Sequence, residues 1–355
     1  MKFGMFILGD NRRPNDSFHT RYEQFLRQID LAEELGFDSV WFAEHHFTEY
    51  GAVPNILTMA AVAATRTERL RIGTGVVIAP FMHPLRLAEE AAMVDVLSNG
   101  RLDLGLGRGY QPLEFKKFGL QMEESQGRFD ETVKILELAA SGEPFSFDGD
   151  FWSFEDVCIR PVSVQQPIPL WIAAASPSTF ERLGKEGRRI LTSPNFTPAE
   201  LVLSLNKTYM EAYKSSGSGD EPAIPMLKQV YVDVNDKDST EVPKEHSVSF
   251  FRLLGTLIAD SEEHATYENY ARTKRSLEKV SYETLLRDGV VFGTPDAVVN
   301  QVVEHWTTLG VSEFLAWFDF GGLPIEKAEA SIRLFAQEVM PAVREQTSAV
   351  PRWQG

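Results

Sequence analysis

The chain has 355 residues, enough for one large α/β domain or two of medium size. Lysine and arginine number 35 against 51 aspartates and glutamates, and the formal charge of −16 disfavours nucleic acid and anionic membrane as partners. The one cysteine, Cys158, excludes an internal disulfide and a cysteine-rich metal site, and suits a reducing cytoplasm.

From the N-terminus, strand-like and helix-like segments alternate. Residues 2–8 read as a strand, and Met1 to Asp10 lacks the apolar core and cleavage site of a signal peptide. No apolar run reaches the ~18 residues of a membrane span. Residues 22–35 read as an amphipathic helix that Gly36 caps. A second strand at 39–43 precedes a helix at 55–64, and a third at 71–78 precedes a helix at 84–98. A fourth at 102–106 leads to a helix at 126–140, a fifth at 170–174 to one at 177–186, and a sixth at 190–192 to one at 198–215. Residues 228–234 form a seventh, and 314–318 an eighth between helices at 295–309 and 325–343.

Eight such units predict a (β/α)8 barrel, a single α/β domain over residues 1–355. The strands are near-continuous apolar runs, as burial on both faces requires. No Gly-x-Gly-x-x-Gly follows the first strand, which counts against a doubly wound dinucleotide-binding sheet. Two insertions interrupt the alternation. After the fourth strand, Phe145 to Phe154 alternates aromatic and polar residues around Asp148-Gly149, a hairpin signal. After the seventh, residues 255–290 are charged and lack a strand pattern; they read as a mobile lid over the barrel mouth or as a solvated surface helix.

In such a barrel the active site lies at the C-terminal strand ends, and polar residues gather there. The second strand breaks into Glu44-His45-His46. Adjacent residues on an extended segment point oppositely, so one imidazole of the pair faces a given site, and histidine suits proton transfer near neutral pH. A metal pair on a helix would need a spacing of four instead. The third strand ends near His83-Pro84, where a structural bond to backbone is at least as good a role for the imidazole as catalysis. The fourth ends in Gly107-Arg108-Gly109-Tyr110-Gln111, a fixed cation between two glycines. After the fifth, Ser176, Ser178 and Thr179 sit at a helix start, where orphan amides favour an anion, although Ser176 also suits a simple N-cap. The sixth runs into Thr192-Ser193-Pro194-Asn195. With Arg108 in the same mouth, the Ser176–Thr179 turn is expected to bind a phosphate rather than serve as an N-cap alone. Gly73-Thr74-Gly75-Val76 suggests close backbone approach to a flat ligand. Trp41, Phe47, Tyr110, Trp171, Phe196 and Trp317 supply aromatic surface, mostly core, some of it a pocket wall. His19, His246, His264 and His305 carry no assigned role.

These motifs resemble the bacterial luciferase-like monooxygenases, and especially the catalytic α subunit of bacterial luciferase. The resemblance rests on Gly36-Phe37-Asp38-Ser39-Val40-Trp41 and Glu44-His45-His46-Phe47-Thr48-Glu49-Tyr50-Gly51. Gly73-Thr74, His83-Pro84, Gly107-Arg108-Gly109, Ser176, Ser178-Thr179, Gly293-Thr294-Pro295 and Val339-Met340-Pro341 add to it. It covers residues 1 to about 343, and the Glu-His-His-Phe-Thr-Glu stretch is its specific part.

The resemblance implies a (β/α)8 barrel that takes reduced FMN from a separate flavin reductase and reacts it with O2. A flavin carbon-4a peroxide would then oxygenate a small organic substrate. His45 would be the catalytic histidine and Glu44 would lie against the flavin. Arg108, Ser176 and Thr179 would hold the phosphate, with Gly107, Tyr110 and Ser193 also at the cofactor. Gly75-Val76, often a non-proline cis bond in this family, would lie under the isoalloxazine. No metal is expected.

Several positions depart from the luciferase pattern: Gly107 replaces a cysteine, Ala175 a glutamate, Pro194 a tryptophan, and Gln126 a second phosphate-binding arginine; Arg128, two residues on, either takes over that role or sits on the wrong face of its helix. Light emission and aldehyde specificity therefore do not follow. The competing readings are a deazaflavin-dependent hydride-transfer enzyme and a non-catalytic partner subunit. The missing lysine- or arginine-rich mouth disfavours the first, and the intact Glu44-His45-Arg108 set the second. Ala-rich helices at 55–64 and 84–93 suggest a homodimer.

Overall fold

The computed structural model describes every residue except 11, 14, 194–196, 220, 259–267 and 354–355, and only the backbone of 268–272. Strands β1 (Lys2–Ile7), β2 (Ser39–Phe42), β3 (Arg71–Thr74), β4 (Val77–Ile78) and β5 (Leu102–Gly107) come first. A hairpin of β6 (Phe145–Asp148) and β7 (Ser153–Val157) follows, then β8 (Leu170–Ala173), β9 (Arg189–Leu191), β10 (Pro225–Val232), β11 (Val290–Gly293) and β12 (Glu313–Trp317). The main sheet is parallel throughout, in the order β11-β10-β12-β1-β2-β3-β5-β8-β9, with β4 also on β5. It curls: Leu227 N of β10 donates to Thr192 O, just past β9, at 3.4 Å. The result is an α/β fold with a curled parallel sheet.

Capping chemistry sets where the helices start. Ser17 caps α1 (Phe18–Glu34) and Asn55 caps α2 (Ile56–Arg66). Proline opens α3 (Pro84–Leu97) and α4 (Pro112–Phe118), where its missing N–H costs nothing. After α5 (Ser125–Ala139), Ser176 caps α6 (Pro177–Lys185). Then come α7 (Ala199–Ser215), α8 (Asp236–Glu241), α9 (Lys244–Leu257), α10 (Glu268–Glu278) and α11 (Tyr282–Thr284). Last are α12 (Pro295–Leu309), α13 (Ile325–Leu334) and α14 (Met340–Ala349). Gly36 takes φ 78° just after α1, as its capping role requires.

The differences from expectation have local causes. The third strand is two pieces: β3 leaves β2 at Thr74, the Gly75–Val76 peptide is cis, and pairing resumes on β5 through Val77 and Ile78. The expected final helix at 325–343 is α13, a wider π turn at 335–339, and α14. The hairpin forms, but its turn is 149–152, because the Glu131 carboxylate accepts from the backbone N–H groups of Asp150, Phe151 and Trp152 at 2.7–3.1 Å. The 255–290 segment carries α10 and α11 and ends on the unforeseen strand β11, whose four buried residues are too few to show a pattern; its residues 259–267 lie outside the described ones.

Two apolar layers hold the fold. The outer one, between sheet and helices, includes Phe3, Phe25, Val40, Ile72 and Phe314. The inner one, inside the curl, includes Trp41, Trp171, Tyr231 and Trp317. Gly73 belongs to this packing rather than to a ligand: a Cβ there would lie 2.1 Å from the Trp41 indole. Between β1 and β12, buried Asp319 accepts from Arg13 at 2.7 Å, Gln28 at 2.9 Å and Arg21 at 3.1 Å, tying two strand-end loops together.

His305, on α12, packs flat on Phe314 and its Nδ1 has no hydrogen-bond partner among the described residues. Burial, then the Lys228 charge, push its pKa down to about 3. The unfolded chain takes up this proton as pH falls below the ordinary histidine value of about 6.5, while the folded chain refuses it until about pH 3. Stability is therefore lost progressively across that window. Thermal melts of His305→Phe should show a smaller drop in Tm between pH 7 and pH 4.5 than the wild type; equal drops would contradict this assignment.

Candidate active site

The C-terminal strand ends open into one cavity of about 710 Å³, within the size range of small-molecule and cofactor sites. Among the residues singled out in sequence, His45, Gly75, Val76, Gly107, Arg108, Tyr110, Ser176, Thr179 and Ser193 line it. Glu44 does not: it is turned away, with Oε1 2.9 Å from His46 Nε2. Burial pushes the Glu44 carboxyl up, and the His46 bond opposes it. Alternation along the extended chain thus sends His45 into the cavity and its neighbours out.

His45 sits in a polar cluster that sequence reading missed. Its Nδ1 is 3.2 Å from Glu114 Oε1 and 3.0 Å from Gln111 Nε2, and its Nε2 is 3.4 Å from Tyr110 Oη. The same Glu114 oxygen accepts from His46 N at 2.8 Å. Glu114 is fully buried, and its Oε2 has no hydrogen-bond partner among the described residues. The imidazole therefore meets an amide and a carboxylate at one nitrogen and a phenol at the other, which holds it in place in either protonation state. Gln111 and Glu114 lie three residues apart where Pro112 opens α4, so both face one side; that spacing was the available signal.

Another part of the lining is cationic and hydroxylic. Ser176 is the N-cap of α6, accepting from Thr179 N, and it also lines the cavity, so the capping and ligand readings hold together. Its Oγ is 2.8 Å from Thr179 Oγ1 and 3.2 Å from Ser178 Oγ. Arg182, one turn on from Ser178 and Thr179, lines the same wall and was not anticipated; its guanidinium also pairs with Glu186 at 3.1 Å. Arg128 does not substitute for the missing arginine: it pairs with Glu124 at 2.9 Å and covers the Phe151 ring at 4.8 Å. Gln126 is on the wall instead.

Of the aromatic candidates, Trp41, Tyr110 and Trp317 line the cavity, Trp171 is core, and Phe47 is 56% exposed. Phe196, Pro194 and Asn195 lie outside the described residues, as does His264. His83 has the structural role: its Nδ1 accepts from Leu85 N, and Trp152 meets its ring edge-on at 4.6 Å. Among the described residues no group of three His, Cys, Asp or Glu side chains is placed to hold a metal, and no helix is long and apolar enough to cross a membrane.

A family model described as luciferase-like monooxygenase matches residues 1–313. The oxygenase component of a flavin-dependent trigonelline monooxygenase from Acinetobacter baylyi is 27% identical, over 97% of this chain and 96% of its own. An alkanal monooxygenase alpha chain from Photorhabdus luminescens is 25% identical over 97% and 98%. Monooxygenase RslO1 from Streptomyces bottropensis superimposes with a TM-score of 0.84 at 30% identity, over 96% of this chain and 99% of its own. At the level of fold alone, two further proteins are similar. One is the FMN-bound 3,6-diketocamphane monooxygenase constituent from Pseudomonas putida (TM-score 0.78, 18% identity, 96% and 98% covered). The other is a coenzyme F420 dependent tetrahydromethanopterin reductase from Methanopyrus kandleri (TM-score 0.72, 21% identity, 96% and 98% covered).

Glu114→Ala removes the acceptor of a buried backbone N–H and should lower the unfolding free energy by about 2 kcal/mol. Glu114→Gln retains an acceptor oxygen and should cost less. Urea titrations that rank the two variants the other way would show that Glu114 does not hold the His46 backbone.

Proposed function

The chain belongs to the luciferase-like monooxygenase family, and on that premise we propose that it is the oxygenase of a two-component flavin-dependent monooxygenase. In this reading a separate reductase supplies reduced FMN, O2 is the co-substrate, and a small organic molecule is oxygenated. One observation carries it: a single cavity presents a carboxylate-anchored histidine on one wall and two arginines among hydroxyls on another.

The donor set fits FMN. Arg108 and Arg182, with Ser176, Thr179 and Ser193, would hold a phosphate by charge-assisted hydrogen bonds. Gly75, Val76, Gly107 and Tyr110 would wall the ring system. Two arginines and no lysine line the described wall, which suits one phosphate better than the polyanionic tail of a deazaflavin. Reduced FMN, when bound, would supply the electrons for activating O2. The protein's own task is to orient, to exclude water and to move protons. His45 gives or takes a proton at Nε2 while Glu114 and Gln111 hold the ring from behind. Phe250, Phe251, Leu254, Ile258 and Leu277 cover one side with apolar surface.

The accompanying fold reading is a single-domain (β/α)8 barrel. The β6–β7 hairpin is an insertion after its fourth strand, and the region holding the 255–290 lid is an insertion after its seventh. A homodimer through α2 and α3 belongs to this reading, because α3 exposes Met93, Val96 and Leu97. So does a cytoplasmic location, which the lone cysteine suits.

The test is anaerobic mixing with reduced FMN, then O2, followed in a stopped-flow spectrometer. We expect protein-dependent slowing of flavin reoxidation. Arg108→Ala should weaken reduced FMN binding at least about tenfold, and Arg182→Ala several-fold. His45→Ala should retain binding but lose about 10²-fold or more in coupled oxygenation. Reoxidation identical with and without protein would overturn the reading. Tighter binding of a deazaflavin than of FMN would favour hydride transfer, and a need for a second chain would favour a partner subunit.

A further inference from the structure

The cavity has two chemically different halves. Strands β5, β8 and β9 and helix α6 bring Arg108, Ser176, Thr179, Arg182 and Ser193 to one of them, and the described wall holds these two arginines but no lysine, aspartate or glutamate. The other half is built by β1, β2, β12 and α9. It presents the rings of Phe6, Trp41, Phe250 and Trp317, with no carboxylate and no ammonium. If the charged half takes the cofactor phosphate, as proposed above, the aromatic half is left for the substrate.

One line of polar atoms crosses into that aromatic half. From His45 Nε2 it runs 3.4 Å to Tyr110 Oη, which donates to Tyr50 Oη at 3.3 Å. Tyr50 is buried and on the cavity wall. Its ring stacks on Phe250, with centroids 5.1 Å apart and planes at 25°, and meets His45 edge-on at 4.6 Å. Two flanking rings thus fix where the hydroxyl points. The Tyr50 oxygen accepts the Tyr110 hydrogen, so its own hydrogen is left for an acceptor. Burial first of all raises the pKa of both phenols, so each stays neutral and remains a donor at any working pH.

The same half is poorly suited to a cation. No carboxylate lines it. Phe250, whose face could otherwise attract positive charge, already carries the Arg12 guanidinium 5.2 Å from its centroid, and Arg12 is fixed there by Asp10 at 2.8 Å. A cation there would have ring faces but no counter-charge to offset its desolvation, whereas a neutral carbonyl needs only one donor.

We propose that the substrate is an uncharged, flat ring compound bearing a carbonyl or similar acceptor oxygen, that Tyr50 donates the hydrogen bond holding this oxygen in the aromatic half, and that Tyr110 links it to His45. Tyr50 is then a specificity-determining residue. The residue that sets the orientation of the ring over the reacting centre lies on the same hydrogen-bonded line as the group that moves protons.

The test uses the full chain saturated with reduced FMN under anaerobic conditions, with binding read by calorimetry. The probes are α-tetralone, tetralin (matched in shape but lacking the oxygen), and the cationic bicycle N-methylquinolinium. Wild type should bind the ketone about tenfold more tightly than the hydrocarbon, the worth of one buried hydrogen bond, and the cation more weakly than the ketone. Tyr50→Phe keeps the ring stack and should bring the ketone-to-hydrocarbon ratio close to one without changing FMN affinity. Tyr110→Phe should lower the ratio less. A ratio that ignores Tyr50→Phe, tighter binding of the cation than of the ketone, or no binding of either ring compound overturns the proposal. If FMN itself fails to bind wild type, the proposed function falls and takes this inference with it. If FMN binds and the ratio does not respond, only this inference falls.

Discussion

A parallel strand covered on both faces is built mostly from apolar side chains, so polar groups free to face a ligand gather at its ends. Most of this molecule follows from that constraint. Ser39–Phe42 is wholly buried, and within four residues of its end the chain delivers Glu44, His45 and His46. The same happens after Gly107 and after Ala173. Curling the sheet brings these ends together, so groups that are harmless apart become one cavity with an imidazole on one side and arginines on the other.

Burial of that cluster then dictates its internal wiring. A carboxylate such as Glu114 persists in the interior only with partners, and it has the His46 backbone and the His45 ring. The arrangement ties β2 to α4 and fixes the imidazole against a short helix rather than a free loop, the kind of support that keeps a reactive group in one orientation. Glu44 and His46 satisfy each other outside the cavity, so the conspicuous pair of histidines divides into one ring inside and one in the packing.

The legibility of the site varied residue by residue. Arg108, Ser176 and Thr179 were readable because each is marked by a local signal: flanking glycines, or a helix start. Arg182 carries no such mark, because its relevance depends on which face of α6 meets the cavity, and Arg128 looked equivalent in sequence although it is spent on Glu124 and Phe151. Gly73 invited a ligand reading, yet the flat group over it is Trp41, a contact across neighbouring strands that no pattern along the chain records. Strand β11 escaped notice because four apolar residues next to a charged stretch do not show a period.

The sequence by itself determined the alternation of strands and helices, the caps that start the helices, and the chemical types gathered at the strand ends. These follow from interactions between residues a few positions apart, which periodicity and capping preferences report directly. Only the tertiary structure decided that His45 rather than His46 enters the cavity, that Glu114 stands 69 positions away in the chain but 3.2 Å from its ring, and that Tyr50 and Tyr110 share a hydrogen bond. Those contacts depend on how far the sheet curls and where each loop returns, and such distances are set by packing of the whole chain rather than by any local run of residues.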